Sequence, residues 1–320
     1  MELEVVKFSS TEQGCNLLIT GGVHGNEPCG PTAIKRIIND FESGKIKLGQ
    51  GSVTFIPECN PKALQQNVRF IDVDLNRIMR PNTSPELYEE HLCNQICTEI
   101  EKSDAFLDVH SYEAGDIPFV FLGPQNEAEL DFASALGGEY FIHNWKNAYE
   151  QGHKDANIPI SGDKNAKAPT SLAYYAKENG VPSLTIECGQ NGGENAETVA
   201  YNAILNALEY WCDASVDADI PRVQKVPNQK IIELKTVFFK TATSQKIEQF
   251  ENFQKLKKGQ LVAAFEDGKT LNAPEDGFAV LPYKTPVVGD KIAIFGVEQS
   301  KDEYLGQKNI PVNTFERRFK

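Results

Sequence analysis

His24 and Glu27 stand three residues apart in the stretch GGVHGNEPCG, residues 21–30, just after the apolar run CNLLIT, residues 15–20. Imidazole nitrogen and carboxylate oxygen are the donor types of catalytic zinc, which takes three protein ligands and keeps a fourth position open. A third donor has to come from elsewhere, and the chain has five histidines: His24, His91, His110, His143 and His153. His110 is the best placed, because LDVHS also closes an apolar run, and in α/β sheets functional groups gather where strands end. His91 lies in the charged helical pattern YEEHLC and reads as a solvated surface residue. His143 and His153 fall in polar, irregular sequence, and spacing alone does not exclude them. The plainer reading of GGVHGNEPCG is a strand leaving the core through a turn in which Gly21, Gly22 and Gly25 give the backbone its freedom.

Two more segments carry chemistry. SLTIECGQNGG, residues 183–193, puts Glu187 at the end of a run that reads as a buried strand. A carboxylate there is costly unless it is paired, bound to a metal or used in catalysis with a raised pKa. In VRFIDVDLNR, residues 68–77, Arg69 and Arg77 bracket Asp72, Asp74 and Asn76. Taken alone, that segment reads as an ion-pair turn in which Asp72 or Asp74 meets Arg77. The seven cysteines are odd in number and lack the spacing of a disulfide framework, which fits reduced, buried thiols. Cys93 and Cys97, one helical turn apart, are a weak candidate for a second zinc site.

The elements that must position these residues follow from periodicity. Residues 15 to about 212 alternate β-rich apolar runs with longer helical patterns, the signature of an α/β layer architecture. Strands are expected at 15–20, 52–58, 105–111, 119–123, 139–145 and 183–189. Helices are expected from Pro28 and Pro31 to Phe41, from Pro85 to Ile100, and from Glu194 to Trp211. Residues 213–230 lose periodicity and collect Asp, Pro and charge, which marks a domain boundary. Residues 231 to about 298 give β-type runs broken by EDGK, PEDG and VVGD. A chain of 320 residues suits one large domain and a smaller one.

A net charge of −13 argues against nucleic acid or anionic lipid as partners. The first twenty residues lack the features of a signal peptide, and no apolar run is long enough to span a bilayer, so a soluble, cytoplasmic protein is expected. Oligomeric state is left open, a homo-oligomer included.

GGVHGNEPCG, NPKAL (60–64), RFIDVDLNR, LDVHS and TIECG, in this order, resemble the succinylglutamate desuccinylase and aspartoacylase family. That family is itself similar to the zinc carboxypeptidases, and the look is nearest to its aspartoacylase members. The resemblance implies an α/β fold: a zinc-carboxypeptidase-like mixed sheet flanked by helices over residues 1–215, then a smaller β-rich domain over 216–320 that caps the active site. It implies one Zn2+ per chain, held by His24, Glu27 and His110. Glu187 matches the general base that takes a proton from the attacking water and passes it to the leaving amine. Arg69 matches the arginine that polarises the scissile carbonyl, Asn76 and Arg77 the pair that holds the substrate carboxylate, and Asp74 a structural partner.

The activity implied is a zinc-dependent amidohydrolase acting on an N-acylated amino acid or similar small carboxylate. A metallocarboxypeptidase acting on peptides and a catalytically silent binding protein are the alternatives. Aspartoacylase uses a further arginine upstream of its catalytic Glu, but no arginine occurs here between Arg80 and Arg222, which leaves Lys164, Lys167 and Lys177 as cations. Tyr283 lies near the place of the tyrosine that aspartoacylase contributes from its C-terminal domain.

Overall fold

The structure, a computed structural model, describes residues 3–113, 115–123, 126–160, 170–222 and 228–306. In chain order it begins with β1 (Val6–Ser9), β2 (Asn16–Gly21), α1 (Cys29–Glu42), β3 (Ile46–Lys47), β4 (Ser52–Ile56), α2 (Pro61–Gln66), a 3-10 turn (Leu75–Arg77) and α3 (Tyr88–Glu101). Then come β5 (Ala105–Tyr112), β6 (Phe119–Phe121), α4 (Glu127–Leu136), β7 (Tyr140–His143), α5 (Trp145–Ala156), α6 (Leu172–Glu178), β8 (Ser183–Gln190) and α7 (Glu194–Cys212). The rest is β-rich: β9 (Ser215–Val216), β10 (Lys230–Phe239), β11 (Lys246–Ile247), β12 (Gln254–Leu256), β13 (Leu261–Ala264), β14 (Thr270–Asn272), β15 (Gly277–Val280), β16 (Lys291–Gln299) and the short α8 (Lys301–Gly306). None of the described helices is long and apolar enough to cross a membrane.

The chain forms two compact units. One holds Met1–Glu139 and Thr170–Gln229; the other holds Tyr140–Pro169 and Lys230–Gln307. In the first unit the strands run in the order β1-β4-β2-β5-β8-β6. The pairs β4/β2, β2/β5 and β5/β8 are parallel, and β1/β4 and β6/β8 are antiparallel. This is the α/β layering that the alternating pattern predicts, with the mixed sheet that the resemblance implies. Every residue of β5 is buried, as a parallel strand covered on both faces must be. One cover is the layer of α3 and α6, whose Leu92, Ile96, Leu172 and Ala176 form a core with Leu18 and Phe106 of the sheet. Helices α1 and α7 pack on each other, and α7 also on β2, β5 and β8.

Helix starts follow local chemistry. Asn60 caps α2 by accepting the Ala63 N–H at 3.3 Å, with Pro61 at the first helical position, where the missing N–H costs nothing. Helix α3 begins at Tyr88, three residues after Pro85, because the Glu90 carboxylate turns back to accept the N–H groups of Glu86 (2.8 Å) and Leu87 (3.0 Å).

In the second unit the strands run β7-β10-β16-β15-β12, with β11-β13-β14 as a separate small sheet. Strand β7 enters this unit by pairing parallel to β10. His143 and His153 sit here in regular structure, His143 in the strand expected at 139–145 and His153 in a helix where its polar surroundings suggest irregular sequence. His143 ends β7, buried, with Nε2 3.0 Å from Gln299 Oε1, and burial pushes its pKa down. His153 is buried in α5 against the Phe239 ring.

Candidate metal centre

Strand β2 stops at Gly21, and Gly22 takes the left-handed conformation (φ +64°), so the chain turns off the sheet edge. Gly25 is needed for a different reason: a Cβ there would lie 2.0 Å from the Ala63 carbonyl carbon, so the turn rests directly on the backbone of α2. Of the three turn glycines, Gly22 alone uses a backbone conformation that other residues adopt only at a cost. Three backbone bonds stitch this turn to its neighbours. Cys59 N–H donates to Gly21 O at 2.9 Å, Asn60 N–H to Gly22 O at 2.9 Å, and Gly25 N–H to Arg69 O at 3.3 Å.

This turn brings His24 and Glu27 to His110 in β5, all three buried. His24 Nδ1 lies 2.8 Å from Glu27 Oε1, and His110 Nδ1 lies 2.8 Å from Glu27 Oε2. One donor atom from each of the three falls within 4.8 Å of the others, and among the described residues this is the single such group of His, Cys, Asp or Glu. Ligands about 2.1 Å from a tetrahedral zinc ion stand roughly 3.4 Å apart, a separation that lies between the 2.8 Å contacts and the 4.8 Å limit of this group. Two nitrogens and one carboxylate oxygen also match the donor set of catalytic zinc.

The far side of each imidazole is held by a further carboxylate. His24 Nε2 lies 3.2 Å from Asp74 Oδ1, and His110 Nε2 lies 2.7 Å from Asp108 Oδ2. Asp108 is itself fixed by the Thr20 hydroxyl, which donates to Oδ1 at 2.7 Å. Such outer carboxylates set ring orientation and raise ligand basicity in metal sites. Asp108 can be found in the sequence after the fact, because residues two apart on a strand share a face.

The electrostatics follow from burial and these contacts. Burial opposes the charge on Glu27, but the two imidazoles outweigh it and hold the carboxyl well below its usual range. Burial likewise opposes ionisation of Asp74, and His24, Arg69 and Arg77 together overcome it. Burial alone would depress His110, yet Asp108 and Glu27 drive it well above the ordinary imidazole value. Carboxylates only accept, so the contacts of His110 with Glu27 and Asp108 call for a proton at each of its nitrogens, and a metal would take the place of one of them.

Glu187 stands beside His110 across the β5/β8 pair, where the two are register partners. Its Oε2 is buried and makes no hydrogen bond. Burial first, and the Glu27 charge second, push its pKa well above the ordinary value, with His110 and Arg69 opposing. Such an environment suits proton transfer.

Arg69 reaches the same cluster. Its Nε donates to Asp74 Oδ2 at 3.2 Å, and Nη1 lies 3.5 Å from Glu27 Oε1. Asp74 therefore pairs with Arg69 and His24, not with Arg77 as the ion-pair turn would have it, and it also caps the 3-10 turn by accepting the Asn76 N–H at 3.0 Å. Asp72 points elsewhere and accepts the Tyr88 N–H at 3.0 Å. Asn76 Oδ1 accepts the Leu172 N–H at 3.1 Å, and Arg77 Nη1 donates to the Asn76 carbonyl at 2.9 Å.

Other candidates fall away from this cluster. His91 is exposed, as its charged pattern predicts. Cys93 and Cys97 lie 3.8 Å apart, and Cys93 donates to the carbonyls of Ile78 and Arg80, so these thiols are spent on packing. All seven cysteines are free and buried. Lys177 pairs with Glu129 at 3.3 Å, and Lys164 and Lys167 lie outside the described residues. Tyr283 belongs to the second unit, where Lys291 sits over its ring.

Comparison with known proteins agrees with these motifs. The profile of the succinylglutamate desuccinylase/aspartoacylase catalytic domain matches residues 13–209. Succinylglutamate desuccinylase of Pseudomonas putida is 36% identical over 279 residues, covering 82% of this chain and 76% of the relative. That of Pseudomonas aeruginosa is 24% identical over 298 residues, covering 87% and 82%. A crystal structure of a succinylglutamate desuccinylase/aspartoacylase from Rhodobacter sphaeroides superimposes with a TM-score of 0.70 at 17% identity, covering 93% of this chain and 90% of that one, a likeness of fold. The chain belongs to the succinylglutamate desuccinylase/aspartoacylase hydrolase family.

Proposed function

We propose that this protein is a zinc-dependent hydrolase of the amide bond in an N-acylated amino acid or a similar small carboxylate. The observation that carries this reading is the convergence of His24, Glu27 and His110 beside Glu187, whose buried Oε2 has no other partner. Zinc, when bound, supplies a Lewis acid that polarises a carbonyl and makes water a nucleophile near neutral pH. His24, Glu27 and His110 would hold it, oriented by Asp74 and Asp108.

Glu187 acts at Oε2, taking the proton of the attacking water and delivering it to the nitrogen of the leaving amine. Its raised proton affinity moves it towards the neutral range in which a general base works best. Arg69 faces the cluster and donates to the oxygen that gains charge as water adds, a role in which loss of one donor costs about 3–4 kcal/mol. The planar fork of Arg77 suits a substrate carboxylate. Leu172 occupies Asn76 Oδ1, so Asn76 contributes through Nδ2.

The test pairs metal analysis with a panel of N-acetyl-, N-succinyl- and N-formyl-amino acids and short peptides. About one zinc per chain is expected, with turnover of a panel member that a chelator abolishes and added zinc restores. Cleavage of peptides in preference to N-acyl amino acids would move the reading to a carboxypeptidase, and would also count against a size-limiting role for residues 216–320. A chain that takes up no zinc when it is supplied would overturn the reading.

A further inference from the structure

We propose that Glu89 is a positioning residue that fastens both working loops of the site, the 21–25 turn and the 69–77 segment, to the start of α3. The proposal rests on the zinc-hydrolase reading given above.

Glu89 lies in the first turn of α3 and is fully buried (0% exposed). No cation pairs with it among the described residues. Its carboxylate instead accepts four hydrogen bonds: Oε1 from Ile71 N–H (2.7 Å) and Asn60 Nδ2 (3.1 Å), Oε2 from Asp72 N–H (3.1 Å) and Val73 N–H (3.2 Å). Residues 71–73 have no regular structure, so their N–H groups have no ladder to join and need an acceptor from elsewhere. Three successive amides converging on one carboxylate form an anion-binding concavity whose anion is built into the chain. A carboxylate is the one side chain that accepts at about four sites and donates at none. The N-terminal end of α3 adds a favourable field.

The same carboxylate reaches the metal turn through Asn60. That side chain donates to Glu89 while its own backbone N–H donates to Gly22 O at 2.9 Å, two residues from His24. Two return contacts close the clasp. Asp72 accepts the Tyr88 N–H at 3.0 Å, and the Tyr88 hydroxyl accepts the Lys62 N–H at 3.2 Å. His24 on one loop, and Arg69, Asn76 and Arg77 on the other, thus take their relative positions from a single buried charge that touches none of the reacting groups.

Glu89→Gln separates positioning from plain stability. The amide keeps the shape but offers one accepting oxygen, and its NH2 must face two of the four donors whichever way it is turned. The zinc Kd, read by competition with a chromophoric chelator, is expected to rise about tenfold, as for other outer partners of metal ligands. On the panel substrate, kcat/KM is expected to fall about ten- to a hundredfold, the scale set by small misplacements of catalytic groups. Tyr201→Phe, which cuts a buried hydrogen bond between α7 and α1, serves as the stability control and should lower Tm without moving either quantity. A Glu89→Gln protein that loses Tm like the control but keeps wild-type zinc affinity and kinetics overturns the proposal.

Should Glu89→Gln fail to fold, Asp72→Ala removes a return contact from an exposed position. A several-fold fall in kcat/KM there supports the clasp, and wild-type values overturn it. Wild-type zinc content and turnover report on the functional reading, whereas ratios to wild type report on Glu89. If the wild type holds zinc but cleaves nothing on the panel, zinc affinity alone decides for Glu89. If it holds no zinc, the proposal falls with the reading.

Discussion

Gly25→Ala should disable the proposed metal centre from outside it. The added Cβ would stand 2.0 Å from Ala63 C, 2.2 Å from Ala63 O and 2.3 Å from Leu64 N, all backbone atoms that cannot rotate away. Contacts of this kind stay above 3.0 Å in real proteins, so the turn and α2 must part by at least about 1 Å. Metal–ligand distances tolerate only about ±0.2 Å, and His24 is the adjacent residue. Two responses are open: the turn shifts and His24 leaves the cluster, or α2 shifts and carries Asn60 with it. Either way a displacement near 1 Å predicts a zinc Kd raised at least tenfold and a kcat/KM lowered by about a hundredfold. Overpacking adds about 1–3 kcal/mol of lost stability, visible as a lower Tm. Gly44→Ala is the control, because its Cβ meets nothing within 4 Å although φ is +76°. It should lose about 1–2 kcal/mol to backbone strain and leave zinc binding and kinetics alone. A Gly25→Ala protein within threefold of wild type in both measurements would refute the argument that close backbone approach sets the ligand geometry.

Glu187→Gln keeps volume and removes the base, so turnover should fall by about 10²–10⁴ with zinc content unchanged by metal analysis; loss of the zinc would instead make Glu187 a ligand. Asp108→Asn alters the carboxylate bonded to His110 Nε2 and should weaken zinc binding about ten- to a hundredfold by chelator competition. Tyr201→Phe deletes the 2.6 Å bond to Asp40 Oδ2 in a buried setting, which should cost about 1–2 kcal/mol and lower Tm by several degrees, with kcat/KM unchanged.

The clustering of His24, Glu27 and His110 is legible because a simple rule locates it: His24 and His110 both sit where an apolar run meets polar sequence, and both runs become adjacent parallel strands, β2 and β5. Glu187 is legible for the same reason, as β8 pairs with β5. What the pattern hides is which of several charged neighbours does what. Asp74 has two arginines in reach along the chain, and the choice of Arg69 over Arg77 depends on a turn with no periodicity. Glu89 sits in the charged pattern YEEHLC and draws no notice there, because nothing in a single sequence announces that three amides eighteen to sixteen residues away will need a carboxylate. His153 looks irregular because its flanks are polar, and the strand expected at 139–145 does not say what His143 meets, yet pairing of β7 with β10 and packing of α5 place both inside a core. In each case the missing information is tertiary.

The centre also explains why so many like charges tolerate burial together. Glu27, Asp74 and Asp108 are all buried, and the buried Oε2 of Glu187 lies in the same cluster. Against them stand His24, His110 and Arg69, of which Arg69 is 43% exposed and correspondingly screened. A buried carboxylate without compensation is among the most expensive features a fold can carry. His110 meets part of that need: Asp108 and Glu27 on its two sides drive its pKa up despite burial. A proton on an imidazole supplies one charge and satisfies one line of contact, whereas a divalent cation supplies two charges at the point where three donors already converge. On the proposed reading, the acidic excess around His24 and His110 is matched by the cation that these three donors would hold, which gives these carboxylates a common reason to gather there.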